Sequence, residues 1–232
     1  MRNCRTAVPV VRQFSYTRVN ERRMPVRTQE FLSPSRFVYQ TKDHRFGEDA
    51  LQLAAFAEAE ACPLVCDLGT GNGILPLWWH TRPQPPLQID AVELQPEAAA
   101  LARDAVEACG LSTRIRVLTA DWEHLPGLLP RGRYDLVTCN PPYFAAGRGK
   151  LPPSEARRLA RHEIRPDMLA RLCRAAAYLC RSGGRFCVCY RPERLPELLS
   201  ALEEAGFAQR RLHWRESPNG SPRLILCEAV RR

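Results

Sequence analysis

The chain has 232 residues, a net charge of +9 and ordinary apolar content, enough for one substantial domain with a single large core. No run approaches the eighteen or so apolar residues of a membrane span. No apolar block follows the basic start, so no signal peptide is read.

Residues 1–34 read as a basic, disordered tail. Residues 1–28 hold seven arginines against Glu21, +6 of the whole charge, without apolar periodicity. The tail fits an RNA-binding arm, a targeting segment, or an extension ahead of a start at Met24. The folded domain is expected over residues 35–232. Asp49–Ala61 is alanine-rich, with Leu53, Phe56 and Ala57 on one face, and reads as a helix. Pro63–Asp67 is a short apolar run that ends at glycines, hence a buried strand. A helix follows over Gly73–Trp79, then a strand over Leu87–Glu93. Pro96 suits a helix's first turn, and Gly110 closes that helix.

Arg114–Leu118 is the third strand and Tyr134–Cys139 the fourth. Residues 144–166 form a long basic loop, of a length that is usually functional. Met168–Leu179 reads as a helix, Gly183-Gly184 as a turn, Arg185–Tyr190 as the fifth strand and Pro192–Ala205 as a helix. Two last strands, near Gln209–Trp214 and Arg223–Ala229, are joined by Ser217–Pro222. That joint is too short for a helical crossover, so the pair is antiparallel. The pattern predicts an α/β fold: a doubly wound, seven-stranded, mostly parallel sheet with one antiparallel strand and ligands at the strands' carboxyl ends. Ten cysteines with no C-x-x-C pair read as small hydrophobes, not as a metal site or disulfides.

Two motifs carry chemistry. In Asp67-Leu-Gly69-Thr-Gly71-Asn-Gly73 the glycines allow close approach of backbone to a ligand. Their G-x-G-x-G spacing differs from the dinucleotide pattern. Asp67 ahead of them suits a cation, such as the amino group and sulfonium of S-adenosylmethionine. Glu93, at the end of the second strand, can accept from ribose hydroxyls. Asp121 can accept from an adenine amine, and Trp122 can pack on that ring. The second motif is Asn140-Pro141-Pro142-Tyr143. An exocyclic amine on an aromatic ring is a poor nucleophile because its lone pair is delocalised. The Asn140 side-chain carbonyl and the Pro141 backbone carbonyl can accept its two N–H groups and draw the nitrogen toward tetrahedral geometry. Prolines 141 and 142 stiffen the corner. Tyr143 offers a stacking face, which Phe144 extends. An amide nitrogen of a glutamine side chain fits the same clamp.

These residues resemble the class I, Rossmann-type S-adenosylmethionine methyltransferases. More narrowly, residues 35–230 resemble the bacterial tRNA(Val) adenine-N6-methyltransferase family, which modifies adenosine 37 just 3′ of the anticodon. Arg45-Phe46-Gly47-Glu48-Asp49-Ala50, the glycine loop, Asn140–Phe144, Arg161-His162-Glu163 and Tyr190–Leu195 carry the resemblance. It implies that Phe46 and Asp49 stand beside the cofactor's methionine end, and that Arg161, His162 and Glu163 lie near substrate or brace the long basic loop as a lid. Arg148 and Lys150 join them as candidate substrate contacts. The expected protein is a cytoplasmic, metal-free enzyme with RNA, specifically tRNA, as partner and no membrane; its oligomeric state is not read from the sequence, a monomer being favoured. The alternatives are a release-factor glutamine methyltransferase, a ribosomal RNA or DNA adenine methyltransferase, and a non-catalytic RNA-binding protein on the same fold.

Overall fold

The computed structural model describes residues 13–14, 26–60, 62–142, 167–217 and 220–232. A small antiparallel sheet opens the chain: β1 (Gln13–Phe14), β2 (Thr28–Ser33) and β3 (Arg36–Gln40). The fold thus begins before the expected boundary at residue 35. Ser33-Pro34-Ser35 turns the chain, and alternation then brings Phe31 tilted against Phe37 and Phe37 edge-on to Tyr39, with ring centroids 5.5 and 5.3 Å apart. Arg27 lies over the Tyr39 ring and pairs with Asp104. The other residues of 1–25 lie outside the described residues.

The remaining elements alternate. They are α1 (Glu48–Ala57), β4 (Leu64–Leu68), α2 (Ile74–Trp79), β5 (Gln88–Glu93), α3 (Pro96–Ala108), β6 (Ile115–Thr119) and β7 (Tyr134–Cys139). Then come α4 (Met168–Leu179), β8 (Cys180–Tyr190), α5 (Leu195–Glu204), β9 (Phe207–Glu216) and β10 (Pro222–Arg231). The large sheet has the order β6-β5-β4-β7-β8-β10-β9. Pairing is parallel from β6 through β8, and β10 runs antiparallel to both neighbours. The expected seven-stranded sheet with one antiparallel strand is the sheet observed.

Strand alternation sorts the core into two layers. Val65, Ile89, Ala91 and Leu136 meet α1, α2 and α3. Cys66, Leu68, Val137 and Phe186 meet α4 and α5. Among the described residues nine cysteines are free and buried, as small hydrophobes should be. The Gly183-Gly184 turn is a bulge inside β8, where the register with β7 jumps between Tyr134 and Leu136. A side chain at Gly184 would sit 2.8 Å from the Tyr134 carbonyl oxygen, so only glycine fits there. Strand order reverses at β4, which lies between β5 and β7. The crevice therefore opens at the carboxyl ends of β4, β5 and β7.

Candidate active site

The chain turns sharply after β4. Gly69, Gly71 and Gly73 have φ of 69°, 60° and 82°, values that favour glycine. The N–H groups of Gly69 and Thr70 both donate to the Val92 carbonyl, at 2.8 and 3.0 Å, which stitches the loop to β5. Glu93 is buried and works in two directions. Its Oε2 accepts from Gly71 N–H and its Oε1 from Gln95 N–H, each at 2.8 Å. With Leu94 N–H also directed at it, the carboxylate still keeps acceptor capacity for a ligand. Burial raises the Glu93 pKa, against the pull of these N–H donors. Asn72 Nδ2 donates to the Tyr39 carbonyl at 2.9 Å, tying the loop to the N-terminal hairpin.

Asp67 is 1% exposed. The Thr138 hydroxyl donates to its Oδ1 at 2.6 Å. Register makes this contact, because Asp67 lies directly beside Thr138 in the β4–β7 pair. Asp67 Oδ2 is buried without a hydrogen-bond partner among the described residues. Burial pushes the Asp67 pKa up to about 7, against the hydroxyls of Thr138 and Thr70 and with help from Glu93. A buried carboxylate whose second oxygen has only the Thr70 hydroxyl to stabilise its charge suits a cationic partner.

Asn140 leaves the sheet at the end of β7. The Leu68–Cys139 pairing sets it beside Gly69. Its Oδ1 accepts from the Cys189 thiol at 2.8 Å. Asn140, Pro141 and Pro142 line one cavity of about 830 Å³ together with Asp67, Gly69, Gly71, Glu93, Asp121 and Trp122. Phe46 and Asp49 line it too. Asp49 Oδ1 accepts from Arg223 Nη2 at 2.7 Å. The Trp122 ring edge lies 3.9 Å from where a Gly69 side chain would begin. The proline corner and the glycine loop thus face one cleft.

A methyltransferase domain description matches residues 65–184. A tRNA1(Val) (adenine(37)-N6)-methyltransferase from Tolumonas auensis is 34% identical over 190 residues, 81% of this chain and 77% of that protein. One from Cronobacter sakazakii is 31% identical over 90% of this chain and 84% of its own length. The chain belongs to the tRNA1(Val) (adenine(37)-N6)-methyltransferase family. Solved structures agree on the family's fold. A predicted O-methyltransferase from Agrobacterium tumefaciens matches with a TM-score of 0.60, 24% identity, and coverage of 78% of this chain and 80% of that one. TrmN from Thermus thermophilus matches with a TM-score of 0.56, 25% identity, and coverage of 79% of this chain and 48% of that one.

Not every expected residue of the family's site lies on the cavity wall. Gly73 sits beneath the loop as the residue ahead of α2, with its missing side chain aimed at Ala102. Tyr143, Phe144, Arg148, Lys150, Arg161 and His162 lie outside the described residues. Arg211, on β9, is drawn inward. It bonds Glu58, the Phe56 carbonyl and Glu228. Sequence reasoning did not single out Thr138, Arg171, Arg191, Arg223 or Cys189. Thr138 and Cys189 are found only through the pairing of β4, β7 and β8. Arg171, Arg191 and Arg223 reach the cavity from α4, from the residue after β8 and from β10; Arg191 lies in the Tyr190–Leu195 segment, though no role was read for it, and no local pattern announces Arg171 or Arg223. Among the described residues no cluster of three or more His, Cys, Asp or Glu could hold a metal ion, and no helix is long and apolar enough to cross a membrane.

Proposed function

We propose that this chain transfers a methyl group from S-adenosylmethionine to the N6 amine of adenosine 37 in a tRNA(Val), in the cytoplasm. The observation that carries the reading is the shared cleft, in which Asn140 and Pro141 face the glycine loop and its carboxylates. The cofactor suits the residues present. Asp67 Oδ2, buried, answers its positive amino group. Glu93 keeps lone pairs for ribose hydroxyls, and Asp121 with Trp122 supports the adenine end. When bound, the cofactor supplies a methyl group on a sulfonium, open to in-line displacement.

The protein's own work is alignment and electrostatics. Asn140 Oδ1 and the Pro141 carbonyl accept the two amine hydrogens and localise the nitrogen lone pair toward the donor. Pro142 fixes the corner, and Tyr143 stacks the looped-out base. Arg171, Arg191 and Arg223 stand on the cavity wall, Arg171 and Arg223 already paired with Asp167 and Asp49; the net charge of +9 over the whole chain supports a polyanionic substrate, so RNA binding weakens as salt rises. The reading requires no metal and no second copy of the chain.

Mass spectrometry of nucleosides from deletion-strain tRNA tests the substrate. Loss of N6-methyladenosine from tRNA(Val) is expected. Unchanged tRNA together with loss of glutamine methylation in a release factor would replace this reading with the amide one. Asn140→Ala is expected to keep cofactor affinity while turnover falls by about two orders of magnitude or more, because it removes an interaction made in the transition state. Near-normal turnover in that variant would end the clamp mechanism.

A further inference from the structure

The parallel pairing of β7 and β8 has a chemical consequence at the clamp. Cys139 lies directly beside Val188. One step on, Asn140 and Cys189 fall side by side, and side chains at neighbouring positions of paired strands project to the same face. Cys189 is fully buried, and its Sγ reaches Asn140 Oδ1 at 2.8 Å. The neighbouring Cys187 turns to Glu228 at 3.8 Å, and Cys139 belongs to the opposite core layer. Of the thiols around β7 and β8, Cys189 is thus the one that meets the clamp.

We infer that Cys189 is a positioning residue that holds the Asn140 amide with its carbonyl oxygen toward the target nitrogen. The inference rests on the proposed role of Asn140. An amide can turn about its last torsion and present either C=O or NH₂, because the two ends have the same shape. Only the carbonyl can accept an amine hydrogen. NH₂ aimed at the target would set donor against donor. Oδ1 carries two lone pairs. The thiol hydrogen takes one on the sheet side and leaves the other for the cleft. Burial, with Asp49 and Asp67 nearby, holds the Cys189 pKa well above its usual range. The sulfur therefore keeps its proton and stays a donor across physiological pH.

Three substitutions of Cys189, Asn140→Ala and one double variant test this. Cys189→Ala and Cys189→Val remove the donor, one with loss of volume and one nearly without. Both are expected to lower kcat about tenfold, the scale of one modest hydrogen bond, with cofactor affinity unchanged. Cys189→Ser keeps an O–H donor in reach and is expected to restore most of the rate. In single-turnover assays the Cys189→Val loss should vanish in an Asn140→Ala background, since nothing remains to be aimed. The S–H stretch isolated by the wild type minus Cys189→Ser infrared difference should be that of a bonded thiol, and should shift toward the free-thiol value in Asn140→Ala. Normal kcat in Cys189→Val, an equal loss in Cys189→Val and Cys189→Ser, or an undiminished Cys189→Val loss beside Asn140→Ala would each overturn the inference. Near-normal rates in Asn140→Ala alone would instead remove the clamp reading beneath it.

Discussion

Asp67 answers two opposed demands, and its setting decides which wins at a given pH. Burial disfavours its charge and pushes the pKa to about 7, whereas a cationic ligand favours the charged form. Ligand and proton therefore compete for the same carboxylate. S-adenosylmethionine affinity should weaken as pH falls from 7 toward 5, approaching tenfold per unit at the steepest. Asp67→Asn keeps the shape but loses the charge. It should bind the cofactor about ten- to a hundredfold more weakly at pH 8, the worth of a charged hydrogen bond, and show a flatter dependence between pH 5 and 7. Calorimetric titration at several pH values measures both. Wild-type pH dependence retained in the variant would show that another group carries the effect.

The elements were readable where local pattern and tertiary role agree. β4 announces itself as an apolar run ending in Asp67 and glycines, and α3 by Pro96 and Gly110. Both stand where expected, within a residue or two. Of the β2–β3 hairpin, β2 was absorbed into the basic tail because the arginines around it dominate the composition, and β3, at the start of the expected domain, was not read as a strand. The hairpin's aromatic alternation around Ser33-Pro34-Ser35 was the available signal. At the site, the acids at successive strand ends were legible because topology places such ends together. The Thr138 and Cys189 contacts were not, since register across parallel strands cannot be counted from separated segments. Gly73 shows how a motif residue can serve an element. Its φ of 82° is unfavourable to other residues, and a side chain there would lie 3.2 Å from Ala102 Cβ on α3. Gly73→Ala should cost about 1–2 kcal/mol for the left-handed backbone alone, with crowding against α3 added. Melting should fall by roughly 2–4 °C per kcal/mol. Cofactor affinity measured below the melting range should change less than in Gly71→Ala, since Gly71 is on the cavity wall and Gly73 is not. A larger affinity loss in Gly73→Ala would contradict that assignment.

At the scale of the whole molecule, two buried carboxylates tilt stability in opposite directions with pH. Glu228 on β10 is 1% exposed and accepts from Arg185 Nη1 at 2.9 Å and Arg211 Nη2 at 2.8 Å. The same arginines reach carbonyls of Ala57, Glu58 and Phe56 around the end of α1. The first helix is thereby stapled to β8, β9 and β10. Burial alone would raise the Glu228 pKa, but the hydrogen bonds from Arg185 and Arg211 prevail and hold it below the usual carboxylate value. Its stabilisation is present above that value and lost as pH falls through the folded pKa. Asp67 has the reverse sign in the unliganded protein. Its folded pKa lies above the ordinary 3.8, so its contribution is fully present below 3.8 and drains away as pH rises to about 7. The unliganded enzyme should therefore be more stable near pH 5 than near pH 8 so far as Asp67 decides, and fall off in stronger acid through Glu228. Asp67→Asn should gain stability over wild type at pH 8 and little at pH 4. Glu228→Gln leaves two arginines facing a neutral amide. It should lose about 3 kcal/mol or more at pH 7, the scale for breaking a buried pair, with the deficit shrinking in acid as wild-type Glu228 takes up its proton. Denaturant unfolding of the three proteins from pH 4 to 8 checks both slopes. A deficit in Glu228→Gln that does not depend on pH would show that packing at β10, not charge, carries the staple.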